Sequence, residues 1–79
     1  MGDDDDLPPW IQQHRWDTGR RLRALRADRG LTQIQLAELC GIDNKTISRA
    51  ENGHRAISID QIARLARALH VPSWRLFRD

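Results

Sequence analysis

Residues 31–53 read LTQIQLAELCGIDNKTISRAENG, and their start and stop signals decide the fold. Thr32 followed by Gln35 is a capping box opening a helix over Gln33–Cys40, which Gly41 closes. Asp43 can N-cap a further helix over Asn44–Glu51, closed by Gly53. Two helices of about two turns therefore meet at Gly41–Asp43, a joint too short for antiparallel packing, and the spacing predicts a steep helix-turn-helix crossing over residues 32–52. Leu36, Ala37, Cys40, Ile42 and Ile47 are the apolar positions that lock the joint. Asn44, Lys45, Ser48, Arg49 and Asn52 are left pointing outward, with no acid before Glu51. An amide, an ammonium, a hydroxyl and a guanidinium on one face are what reading base edges in a major groove requires.

Working outward, apolar spacing at Trp10, Ile11, His14, Thr18, Leu22 and Leu25 predicts a first helix ending at Gly30, with Gly19 weakening or kinking it. Ser58 and Gln61 form a second capping box, for a helix over Ile59–Leu69 with a buried stripe of Ile59, Ile62, Ala63, Ala66 and Leu69. Pro72 starts a last short helix with Ser73, Leu76 and Phe77. The expected fold is all-α, a compact five-helix domain over residues 10–79. Residues 1–9 read as a disordered acidic and proline leader, a solvated tail.

Composition narrows the function. Asp3–Asp6 take four of the eleven acids, so residues 10–79 carry thirteen basic against seven acidic side chains, a balance of +6. Twelve of the thirteen bases are arginine, the side chain shaped to fork onto phosphate or guanine. Cys40 stands alone and His14, His54 and His70 are scattered, which gives no metal set, no disulfide and no activated nucleophile. Nor is there a Gly-rich phosphate loop. An enzyme, a cofactor, a small-molecule ligand and a membrane span are not expected. Cys40 reads as a small buried hydrophobe, and the setting as cytoplasmic, nucleoid-associated when on DNA.

From Gly19 to Phe77 the chain resembles the Xre/Cro-like family of phage-repressor-type regulators. The resemblance lies in Arg21–Arg26 (RLRALR), Gly30–Gln33 (GLTQ), Leu36–Ala37, Gly41–Asp43 (GID), Thr46–Gly53 (TISRAENG) and Ala66–Val71. It implies a sequence-specific double-stranded-DNA-binding transcriptional regulator, typically a repressor. It further implies base contacts from Asn44, Lys45 and Arg49 with Ser48 in support. Phosphate contacts are implied for Thr32, Gln33, Asn52 and Arg55, and an ion pair between Arg26 and Glu51. Ala50 departs from the bulkier apolar residue usual there. Ile34 stands where the family is polar, as either a harmless exposed side chain or a partner contact. Ala56–Ile57 replaces the common basic-proline pair. Arg55–Leu69 with Leu76–Phe77 also looks like controller proteins of restriction–modification systems. An antitoxin-type protein-interaction module could use the same fold, though nine leader residues are few for wrapping a partner.

One such domain spans half a site. A homodimer on a palindromic operator is therefore expected, with half-sites about 34 Å apart. Trp74, Leu76 and Phe77 are the candidate interface, rimmed by Arg75 and Arg78, with Asp79 available to pair across the axis. Trp10 and Trp16 are either the rival interface or residues packing on their own flank.

Overall fold

A computed structural model describes residues 7–78. Residues 1–6 of the expected leader, and the expected role of Asp79, lie outside the described residues. The elements are α1 (Pro9–Asp28), α2 (Gln33–Cys40), α3 (Asn44–Glu51), α4 (Ile59–Leu69) and a 3₁₀ turn (Ser73–Leu76). The fold is all-helical, with four α-helices rather than five among the described residues. After Pro72 the chain closes i+3 bonds, from Arg75 N to Pro72 O (3.1 Å) and from Phe77 N to Trp74 O (2.9 Å), so Ser73–Leu76 winds as a 3₁₀ turn.

Helix α1 starts one residue earlier than its apolar pattern. Pro9 occupies the first helical position, where a missing N–H costs nothing and a fixed φ already suits the helix. The helix then runs for twenty residues, about 30 Å. It buries Thr18, Gly19, Leu22 and Leu25, whereas Trp10 (72% exposed) and His14 face outward. The helix runs on without a break through Gly19. That residue is the point of closest approach to α3: a Cβ built there would collide with the carbonyl oxygens of Ala50 and Glu51. The light residue at position 50 is part of this contact, for Ala50 is buried and its backbone meets that of α1.

Both predicted capping boxes form. Thr32 and Gln35 bond reciprocally at 2.9 and 3.0 Å, and Ser58 and Gln61 at 3.0 and 3.1 Å. Helix α4 is nevertheless rotated from the expected stripe. Ile62, Leu65, Ala66 and Leu69 are buried, while Ile59 is 84% exposed and Ala63 is exposed as well. Ile59 follows the Ser58 cap directly, in a first turn that lies beyond the packed part of the helix. The i, i+3, i+4, i+7 series runs inward from Ile62 and takes in Leu65. Helix α4 ends on His70 in the left-handed region (φ 60°), with the N–H of Val71 returning to the carbonyl of Ala66 at 3.0 Å.

Leu22, Leu36, Ile47, Leu65, Leu69 and Leu76 are the large side chains wholly removed from solvent, one or two from every element. They fix α2 and α3 in the crossed arrangement that the short Gly41–Asp43 joint predicts. Leu76 thus plugs the core, and of the expected interface trio only Trp74 and Phe77 offer surface. Trp74 stands within the 3₁₀ turn and Phe77 is its C-cap.

Gly19→Ala should test the α1–α3 contact. The substitution gains about 1 kcal/mol of helix propensity. It also forces a methyl group against backbone that cannot rotate aside, at a cost of roughly 1–3 kcal/mol or more. A net fall of about 5–10 °C in the thermal midpoint is expected by circular dichroism, against no change for the exposed neighbour Arg20→Ala. A more stable Gly19→Ala protein contradicts the close approach.

Candidate nucleic-acid interface

Helix α3 is set by both of its ends. At the start, Asp43 caps with one carboxylate oxygen on the backbone N–H of Thr46 (3.1 Å) and the other on the Thr46 hydroxyl (2.6 Å). Those two bonds, the hydroxyl first, hold the Asp43 carboxyl below the usual carboxylate range, and the charge of Arg55 adds to the effect. At the far end the Asn52 amide donates to the carbonyl of Ser48 (2.9 Å), and the His54 N–H reaches the carbonyl of Arg49 (2.8 Å) across Gly53 (φ 74°).

Between these ends the helix divides cleanly. Ile47, Ala50 and Glu51 are buried; Asn44, Lys45 and Arg49 are exposed, and Ser48 is partly so. The four predicted base-reading residues therefore share one side of two helical turns, with no carboxylate among them. Thr32, Asn52 and Arg55 are also exposed. The first-turn amides of α2, at Gln33 and Ile34, precede any intrahelical acceptor and are free to meet an anion.

Glu51 organises the inner side. Its side chain is 2% exposed and that of Arg26 14%, and they form a two-pronged pair: Nε to Oε2 at 2.6 Å and Nη2 to Oε1 at 2.9 Å. The remaining Arg26 Nη1 donates to the Leu31 carbonyl (2.8 Å). Gln33 Nε2 donates to Glu51 Oε1 (3.0 Å). The hydrogen bond to Glu51 raises the Arg26 guanidinium's proton affinity further against the opposing effect of burial. No buried side-chain nitrogen or oxygen among the described residues lacks a partner. The Gln33 link was not legible in the sequence, because nothing in an eighteen-residue separation signals it. It gives Gln33 two possible duties, since one amide hydrogen on Glu51 leaves the other for a phosphate.

Two side chains of α1 also contribute, and of these sequence reasoning missed Gln12. Gln12 Nε2 donates to the Gly53 carbonyl (2.7 Å), and the Trp16 indole lies so close to Gly53 that a Cβ there would collide with it. Trp16 thus packs on its own flank, the plainer of its two expected readings. Ile34 is 58% exposed. At the opposite end, the guanidinium groups of Arg75 and Arg78 lie 5.9 and 6.0 Å from the Trp74 ring centroid, within cation–π range. Cys40 is buried and unpaired, and the described residues hold no group of three potential metal ligands. Among the described residues no helix is long and apolar enough to cross a membrane.

Comparison with known proteins agrees with this geometry. The helix-turn-helix family HTH_3 matches residues 22–73, and the chain belongs to that family. It is 47% identical over 55 residues to the HTH-type transcriptional repressor RghR of Bacillus subtilis (strain 168), a match covering 68% of this chain and 41% of the repressor, so it spans less than half of that relative. Among solved structures, it resembles the restriction–modification controller protein C.AhdI from Aeromonas hydrophila with a TM-score of 0.78 and 40% identity, over 80% of this chain and 96% of the controller. The hypothetical transcription factor NHTF from Neisseria matches 91% of this chain and 82% of its own, with a TM-score of 0.80 and 30% identity.

Glu51→Ala strands the Arg26 guanidinium and should cost roughly 3–5 kcal/mol in urea unfolding, whereas the paired change Arg26→Met with Glu51→Leu should cost clearly less. Additive losses in that cycle exclude the coupling. For the cap, the folded-state value of Asp43 lies below its unfolded one. Its contribution is therefore complete above the ordinary carboxylate range and disappears as pH falls through the lowered value. The urea-midpoint gap between wild type and Asp43→Ala should be flat near neutrality and close below about pH 4.

Proposed function

We propose that this chain is a sequence-specific double-stranded-DNA-binding transcriptional regulator, acting as a repressor and reading the major groove through α3. The observation that carries the reading is the outward side of α3. Asn44, Lys45 and Arg49 stand together with Ser48, on a helix whose inner side is rigidly tied by Glu51. Arg49 is suited to the N7 and O6 of guanine and Asn44 to adenine. Thr32, Gln33, Asn52 and Arg55 flank the reading side and serve as phosphate contacts, with the α2 amides adding to them. No catalytic step is assigned to any residue, and the site of action is the nucleoid in the cytoplasm.

The working unit in this reading is a homodimer on a palindromic operator. Trp74 and Phe77, each about half exposed at the 3₁₀ turn and its cap, form the apolar centre of the interface, and Arg75 and Arg78 its rim. Leu76, wholly buried, takes no part. A narrower reading as a restriction–modification controller is favoured by one fact: the similarity to C.AhdI extends over 96% of that protein. It requires a methyltransferase–nuclease gene pair beside the gene for this chain.

Gel-shift titrations over a panel of point-mutated operator sites test the proposal. Arg49→Ala should weaken binding to the preferred site by roughly 1–3 kcal/mol and relax discrimination at one base pair. Arg55→Ala should weaken all sites alike and lower the slope of log affinity against log salt by about 0.9. Unchanged preference in Arg49→Ala removes α3 as the reading helix. In sedimentation at micromolar concentration the wild type should dimerise and Trp74→Ala should not, and a wild type that stays monomeric on a palindromic duplex excludes the dimer.

A further inference from the structure

The first half of α1 lies ahead of residue 22, where the family match begins. It is nonetheless fastened to the segment on which Asn52 and Arg55 sit. That segment leaves α3 through Gly53 and stays irregular until α4 starts at Ile59, so α3 alone holds it only at its beginning. Two side chains of α1 hold it from the other side. Gln12 Nε2 donates to the Gly53 carbonyl (2.7 Å), and the Trp16 ring closes on the face of Gly53 where a Cβ would otherwise stand.

Gln12 and Trp16 are i, i+4 neighbours and share one stripe of the helix. Gly19 continues the stripe one turn later, with its backbone against the carbonyls of Ala50 and Glu51. The spacing between α1 and the end of α3 is therefore fixed at Gly19, and the two side chains act from a rigid base. Arg55 also lines a groove with Ile11 and His14, so this residue borders the same part of α1. Trp16 remains 47% exposed, too wet for a core residue but well placed as a wall against a turn.

We infer that Gln12 and Trp16 are positioning residues for the DNA backbone: they hold the Gly53 turn so that Asn52 and Arg55 are preset for phosphates before DNA arrives. The inference rests on the DNA-binding reading above. Its consequence is affinity without sequence preference. Groups already ordered sacrifice less freedom on binding, and phosphate contacts carry no base information.

The test uses the full chain and duplexes carrying either the preferred site or scrambled sequence. Gln12→Ala removes one hydrogen bond at a half-buried position and should leave the protein folded, as far-ultraviolet circular dichroism at the assay temperature will verify. Affinity is expected to fall about five- to tenfold on both duplexes, the scale of one hydrogen bond. The salt slope should flatten by up to about 0.9 for each phosphate no longer neutralised. In the Arg55→Ala background, Gln12→Ala should have a smaller further effect, because one of the two groups it positions is gone. Trp16→Phe, which keeps an apolar ring at that position, should retain more affinity than Trp16→Ala. Unchanged affinity in folded Gln12→Ala overturns the inference, as do losses that multiply fully with those of Arg55→Ala, or a loss confined to the preferred site. In each of these cases wild-type binding stands. Absence of wild-type binding to any duplex overturns the DNA-binding reading itself and the inference with it.

Discussion

A carboxylate with almost no access to water must be neutralised by its neighbours, and Glu51 leaves the rest of this domain little choice in how to do so. Arg26 has to come from α1, Gln33 from the first turn of α2, and the second arm of Arg26 has to find the Leu31 carbonyl in the connection between them. Three helices and one loop are thereby bound to a single functional group at the end of α3. Apolar packing among six large side chains is tolerant of small rotations. Directional bonds from a guanidinium fork and an amide are not, and they select one orientation from the compact arrangements that the leucines alone would accept.

Much of this was legible in the chain because its helix ends are written in local chemistry. Thr32 with Gln35, Ser58 with Gln61, Asp43 before Asn44, and glycines at 30, 41 and 53 each need only a few neighbours to act, so the boundaries of α2, α3 and α4 follow from sequence. The faces were harder. Ile59 matches the helical period as well as Leu65 does, and only the position of α4 along its neighbours reveals that its first turn overhangs the core. His70 in a left-handed cap has no glycine to announce it. The pattern of the last residues likewise gave no means of telling an α-helix from a 3₁₀ turn.

The candidate site divides in the same way. Asn44, Lys45 and Arg49 could be assigned outward because Ile47 had to be inward, a helical inference that the exposures match. Gln12, Trp16 and the second duty of Gln33 depend on long-range approach. Gly19 was legible as an anomaly in a helix, but its meaning lay in α3, about thirty positions away in the chain. Glycine within a helix signals either weakness or proximity, and sequence alone does not separate the two.

Helix α3 is anchored by its caps, its inner face and backbone-to-backbone proximity, and none of these involves the side chains of Asn44, Lys45 or Arg49. Even the bond from Asn52 is accepted by the carbonyl of Ser48, so it is indifferent to the side chain at that position. On the proposed reading of α3, packing and recognition are thus encoded by separate letters of the same eight-residue word. If those residues read the bases as proposed, positions 44, 45, 48 and 49 form a cassette that can be rewritten while the scaffold stays in register, and such a domain would acquire a new operator by a handful of codon changes.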